Sequence, residues 1–121
     1  MGLDMYAVIS RQTPPSAVDF KVEDGVELHY WRKHPNLHGW MEWLYRAKGG
    51  TKADFNCAML QLTAEDLDRL ERAIRDETLP QTSGFFFGAS DGSEKEDDLA
   101  FVAKAREALA TGHTVIYDSW W

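Results

Sequence analysis

The sequence predicts an α+β domain with a mainly antiparallel sheet of about four strands and three helices packed on it. Residues near both ends alternate between apolar and polar types, which is typical of strands buried on one face. Three segments between them repeat apolar residues at helical spacing. No repeat or low-complexity linker divides the chain, so residues 1–121 are predicted to form a single domain.

The first part of the chain predicts two strands joined by a long connection. Residues 3–10 place Leu3, Met5, Ala7 and Ile9 on one side. The segment 11–25 contains Pro14-Pro15 and closes at Asp24-Gly25, which is typical of a loop with a turn. Residues 26–31 alternate again, and this second strand is expected to pair with the first.

A helix is predicted to begin at Pro35, because proline fits the first helical turn, where its missing N–H is not needed. It ends near residues 48–51. Gly39 lies inside it at a cost of about 1 kcal/mol relative to alanine, so we expect a backbone or a ring to approach closely there. The apolar stripe of this helix consists of Leu37, Trp40, Met41 and Leu44.

The second half of the chain predicts a strand over 55–62 and a helix capped by Thr63, with acidic residues in its first turn. Leu79-Pro80 ends this helix. Residues 84–88 are interpreted as a tight extended segment between two glycines.

The third helix is predicted to run from about Glu94 to Thr111. Residues 93–96 match a capping box, and Gly112 is the expected terminator. Residues 115–120 alternate and predict the last strand.

Composition excludes several classes of protein. The net charge of −7 argues against direct binding to nucleic acid or to an anionic membrane, because both require clustered cations. The chain has no signal-peptide pattern and no apolar stretch long enough for a bilayer, so a cytoplasmic protein is expected. A single cysteine allows no internal disulfide.

The candidate binding site is the stretch from Tyr30 to Trp40. Residues 29–52 carry five cations against one acid, a net charge of +4 in an acidic protein. Cations followed by a helix N-terminus can bind an anion, and neighbouring rings can stack on a ligand. The sequence therefore predicts a binding module for an anionic small molecule or an acidic peptide group, without a cofactor or a metal. The predicted binding residues are Trp31, Arg32, Lys33, Asn36, His38, Trp40, Phe86 and Asp118.

An alternative hypothesis is a small hydrolase in which His38 is a general base oriented by Asp118 or Glu42. No nucleophile motif supports it, and Ser90, Ser93 and Ser119 have no context that marks them as nucleophiles. His34, His38 and Glu42 are spaced four residues apart, but His34 precedes a proline and no zinc-binding motif is present.

A third hypothesis is an acidic interaction protein that binds a basic host protein or imitates nucleic acid. Residues 63–98 carry eleven acids against four cations, a net charge of −7. The terminal Trp120-Trp121 pair is expected to seal the core, line the pocket or face a second subunit, so a homodimer is a further possibility.

The sequence resembles a group of small proteins from tailed bacteriophages and prophages that has no assigned activity. These proteins open with the Met-Gly-Leu-Asp-Met-Tyr strand. They share a Tyr-Trp-Arg-Lys segment before a His/Trp helix, a Gly-Phe-Phe-Phe-Gly segment and an aromatic end near Ser-Trp. The corresponding positions are residues 1–6, 30–40, 84–88 and 117–121. The resemblance implies a bacterial host cell and a shared group of residues, but no reaction.

Overall fold

A computed structural model describes residues 2–84 and 87–121 and confirms the α+β prediction. Four strands form one antiparallel sheet, and three helices lie between them in the sequence. The elements are β1 (Asp4–Ser10), β2 (Val26–Arg32), α1 (Pro35–Ala47), β3 (Leu60–Leu62), α2 (Ala64–Arg75), α3 (Lys95–Ala110) and β4 (Thr114–Trp120).

The sheet has the order β2-β1-β4-β3, so the first strand lies between the second and the last. Asp4 is opposite Arg32 on β2 and opposite Trp120 on β4. Tyr6 is likewise opposite Tyr30 and Asp118. Because side chains alternate along a strand, these residues lie on one face of the sheet and their neighbours lie on the other.

The inner face carries the core. Fully buried strand residues pack against the apolar stripes of all three helices, and hydrophobic burial of this kind is the main force that stabilises the domain. Across residues 2–84 and 87–121, helices long and apolar enough to cross a membrane are absent. Central core residues are Met5, Trp31, Leu37, Met41, Leu67, Leu70, Phe101, Val102 and Tyr117.

Helix α1 begins at Pro35 as predicted, with His34 in the N-cap position. The close approach expected at Gly39 comes from the Thr82 side chain, where a backbone or a ring was predicted. A Cβ atom on Gly39 would lie 1.9 Å from Thr82 Oγ1. The glycine therefore allows the segment after α2 to pack directly on α1.

One predicted strand boundary and one predicted helix cap are wrong. The strand predicted over 55–62 is reduced to Leu60–Leu62, because Cys57 has a positive φ of 54° that interrupts an extended chain. The capping box predicted at 93–96 does not form. Ser93 Oγ donates to Asp91 Oδ1 at 2.6 Å, and Glu94 occupies the N-cap position without a side-chain hydrogen bond to the helix.

The cap predicted at Thr63 is confirmed. Asp66 N–H donates to Thr63 Oγ1 at 3.3 Å, and Thr63 N–H donates to Asp66 Oδ2 at 2.8 Å. The two bonds satisfy N–H groups that the helix itself leaves unpaired.

Candidate functional site

Trp31 belongs to the core and does not wall a pocket. It is 4% exposed, and its ring meets that of Phe101 edge-on with centroids 4.8 Å apart. Its Nε1–H donates to Asp98 Oδ1 at 3.0 Å. Alternation along β2 explains this placement, since Trp31 faces the helices while its neighbours Tyr30 and Arg32 face away.

His38 is also a core residue. It is 1% exposed, its ring stacks on Phe55 with centroids 4.9 Å apart, and its Nδ1 lies 2.7 Å from the Tyr117 hydroxyl. Burial lowers the pKa of His38 from 6.5 to about 4 and raises the pKa of Tyr117 well above its usual value. A neutral imidazole therefore accepts the Tyr117 O–H in the core.

The proposed pairing of His38 with Asp118 is wrong. Tyr117 points to the inner face, where it meets His38, so the next residue must point to the outer face. Asp118 is half-buried there, opposite Tyr6. Desolvation raises the pKa of the Asp118 carboxyl, although a hydrogen bond from Ser119 N–H opposes this shift.

Two further predicted residues, Trp40 and Asn36, line clefts other than the one at Arg32. Trp40 is 6% exposed and lines a groove with Trp43 between α1 and the segment that follows α2. Asn36 accepts a hydrogen bond from Thr82 N–H at 3.0 Å and lines a separate cleft. Phe86 lies outside the described residues.

Arg32 and Lys33, by contrast, converge on one point. A Cβ atom on Gly2 would lie 2.7 Å from Arg32 Nη2 and 3.1 Å from Lys33 Cε. Adjacent residues of a strand normally point to opposite faces, but Lys33 has a positive φ of 55° that turns the chain. Its N–H donates to Leu3 O at 2.8 Å and holds this turn against β1.

Two tryptophans complete a cleft at the same corner of the sheet. We call it the Arg32 cleft; it has a volume of about 280 Å³. Trp120 is 65% exposed, and the Trp121 ring meets Phe87 edge-on with centroids 5.1 Å apart. The lining residues are Gly2, Asp4, Arg32, Trp120 and Trp121.

Asp4 orients the guanidinium group of the Arg32 cleft. Its Oδ1 accepts hydrogen bonds from Arg32 Nη1 at 2.8 Å and from the Tyr30 hydroxyl at 2.6 Å. The bond to Asp4 raises the pKa of Tyr30. Among the described residues, one of the five N–H donors of Arg32 is used by Asp4, which leaves donors for a ligand. Among the lining side chains the charges of Arg32 and Asp4 cancel, and the Lys33 side chain beside Gly2 brings a second cation to the edge of the cleft.

The His34, His38 and Glu42 ladder is not a metal site. His38 is enclosed in the core, and Glu42 pairs with Arg46 at 3.2 Å. Within the described part of the chain, no three histidine, cysteine or acidic side chains are grouped as metal ligands.

Sequence reasoning missed Gly2 and Asp4, which reach the cleft because β1 lies between β2 and β4. Their place in the cleft follows from the sheet order, which the periodicity of the sequence does not predict. The sequence also contained no indication that His34 and Ser90 contact each other; both line the cleft that contains Asn36.

No protein-family model, curated protein or solved structure matches this chain.

Proposed function

We propose that the protein is a binding module that takes a phosphate or carboxylate group attached to an apolar or planar group into the Arg32 cleft. The observation that carries this proposal is the convergence of Arg32 and Lys33 beside two tryptophans at Gly2. The cations would pair with the anionic group, and the exposed Trp120 ring would cover the attached apolar part.

The four segments that carry the resemblance to phage proteins all contribute to this corner. Asp4 comes from the first segment, Arg32 from the second and Trp120 from the last. The third segment supplies Phe87, which contacts Trp121. This common location supports the proposed site, and we retain a phage or prophage origin and the cytoplasm of a bacterial host as parts of the proposal.

The binding test is calorimetric titration of the full chain with a panel of nucleotides, sugar phosphates and acidic peptides. Arg32→Ala and Trp120→Ala should each weaken the ligand that binds. Loss of a charged hydrogen bond, about 1.5–3 kcal/mol, corresponds to a decrease in affinity of roughly tenfold to 100-fold for Arg32→Ala.

Matched controls are available on the same chain. Trp43 is 53% exposed on α1, and Arg69 is exposed on α2. Trp43→Ala and Arg69→Ala should leave the affinity unchanged. The proposal fails if no member of the panel binds, or if binding is equally strong without the Arg32 guanidinium.

The hypothesis of an acidic interaction surface receives less support. Glu71 binds both Arg75 and Arg106, at 2.8 and 2.7 Å, and Asp68 binds Arg106 at 2.8 Å. Asp97 faces His29 at 3.0 Å. These acids are matched inside the domain, which reduces the negative charge available to a basic host protein.

A further inference from the structure

His34 links a serine and an aspartate in one chain of short contacts. Its Nε2 lies 2.7 Å from Asp98 Oδ2, and its Nδ1 lies 2.6 Å from Ser90 Oγ. His34 is 3% exposed at the N-cap of α1, and Asp98 is 2% exposed on the first turn of α3. Residues far apart in sequence thus form a serine–histidine–aspartate arrangement.

The contacts of Asp98 fix the proton on the imidazole. A carboxylate only accepts hydrogen bonds, so His34 must carry its proton on Nε2, which faces Asp98. In the neutral imidazole Nδ1 then has a free lone pair, which can accept the Ser90 hydroxyl. Serine-dependent hydrolases use the same relation with the two ring nitrogens exchanged. Trp31 Nε1–H donates to the other oxygen of Asp98 at 3.0 Å and holds the carboxylate in place.

Ser90 is half-buried and faces a cleft of about 180 Å³, so a small substrate can reach its hydroxyl. Ile74 and Leu79 form an apolar part of this cleft. Asn36 N–H, in the first turn of α1, donates to Ser90 Oγ at 3.1 Å. This N–H and the positive end of the helix dipole favour negative charge on that oxygen.

Glu94 is a second acid near Nδ1, and Glu77 and Lys95 are further charged residues that line the cleft. Its Oε2 lies 3.8 Å from His34 Nδ1, and its carboxylate accepts hydrogen bonds from Asp91 N–H and Gly92 N–H. Its negative charge stabilises the imidazolium that forms when Nδ1 takes the serine proton.

We infer that Ser90, His34 and Asp98 form a second site, independent of the Arg32 cleft, that hydrolyses small esters with an apolar acyl group. Ser90 is the nucleophile, His34 is the general base, and Asp98 is a positioning residue that acts through His34.

In the first step the Ser90 proton passes to His34 Nδ1 while Oγ bonds to the ester carbonyl carbon. The carbon–alkoxide bond then breaks, and the alcohol leaves with the proton from Nδ1. Water next gives a proton to Nδ1 and attacks the acyl-serine, which releases the carboxylic acid and returns the proton to Ser90.

The test treats the full chain with an alkyl fluorophosphonate, whose phosphorus bonds to a nucleophilic serine as fluoride leaves. Peptide mass mapping should find one adduct on Ser90, and hydrolysis of p-nitrophenyl butyrate should decline in parallel. Ser90→Ala should lose both signals, and His34→Gln should slow both by about 100-fold or more. Ser93→Ala is the matched control and should change neither signal, because Ser93 donates to Asp91 instead.

A second measurement leaves the buried groups untouched and guards against misfolding of the His34→Gln variant. In Ser90→Cys, the introduced thiol should react with iodoacetamide at least about tenfold faster than the thiol of Ser93→Cys, because His34 would draw off its proton. Peptide mass mapping distinguishes each introduced thiol from the thiol of the native, exposed Cys57.

For Asp98→Asn, nitrogen NMR of the imidazole should show a shift away from the Nε2–H tautomer together with slower phosphonylation. The inference would be overturned by a folded wild-type protein that forms no Ser90 adduct. It would also be overturned if the thiol of the Ser90→Cys variant reacted no faster than the thiol of the Ser93→Cys variant.

Discussion

The buried His38 should make the free energy of unfolding depend on pH. The ring is enclosed by Phe55 and Phe87, and its neutral Nδ1 accepts the Tyr117 hydroxyl. Protonation would place a charge among apolar rings, which is why the pKa of His38 falls from 6.5 to about 4.

The sign and size of the effect follow from the two pKa values. Between pH 6.5 and 4 the unfolded chain binds a proton at His38 that the folded protein excludes, so acid favours unfolding. The stabilisation present above pH 6.5 is lost as the pH falls towards 4. The two pKa values differ by about 2.5, which at about 1.4 kcal/mol for each step of one amounts to about 3.5 kcal/mol in full and to about 3 kcal/mol by pH 4.

The assay is urea unfolding at several pH values from 7 to 4 for the wild type and His38→Gln. Glutamine can accept the Tyr117 hydroxyl but does not titrate, so the variant should lose most of the pH dependence of about 3 kcal/mol. His113→Gln is the control, since His113 is half-buried and contacts Thr111. The raised pKa of Asp118 affects both proteins and cancels in the comparison.

Equal pH dependence in the wild type and His38→Gln would refute this reasoning. So would an NMR titration in which the His38 ring protons shift near pH 6.5, because a ring that titrates normally cannot carry the proposed burial cost. A change in the stability of His38→Gln at pH 7 alone would not address the argument, since lost ring packing also contributes there.

Three core substitutions test the packing by urea unfolding. Trp31→Phe should cost about 2–4 kcal/mol, because it leaves a cavity and a buried carboxylate oxygen without its donor. Gly39→Ala should cost about 1–3 kcal/mol because its Cβ meets Thr82, and Thr82→Gly should restore much of the loss. Lys48→Met should cost about 3 kcal/mol by leaving the Asp66 carboxylate buried without its cation, whereas Lys21→Met at an exposed position should cost little.

Strands and helices with clear periodicity could be predicted from the sequence because each needs only its own residues. The segment 55–62 could not, since a continuous apolar run fits both a strand and a buried connection. Phe55 and Ala58 are buried without forming a strand, and Cys57 N–H donates to Ser119 O outside the regular ladder. Tertiary packing, rather than local pattern, decides the conformation there.

In the Arg32 cleft, too, some features could be predicted from the local sequence and others depend on the tertiary fold. The cations at Arg32 and Lys33 stand out in the sequence, but the alternation of a strand predicts that they point apart. Only the left-handed backbone of Lys33 brings them together, and nothing in the residue type of a lysine signals that conformation. Trp120 lies near them because Asp4 on the central strand β1 is opposite Arg32 on β2 and opposite Trp120 on β4. This placement is a property of the sheet order.

The two histidines show where sequence reasoning reached its limit. His34 and His38 are four residues apart, yet the His34 ring contacts the Asp98 carboxylate and the His38 ring stacks on Phe55. The two histidines differ in environment because their partners come from different elements: Asp98 lies on α3 and Tyr117 lies on β4. One part of this was nonetheless predictable. If His38 faces the core and Tyr117 packs there, alternation along β4 already excludes Asp118 as its partner. Thus strand alternation can reject a proposed catalytic pair from sequence, whereas recognising the pair that forms requires the fold.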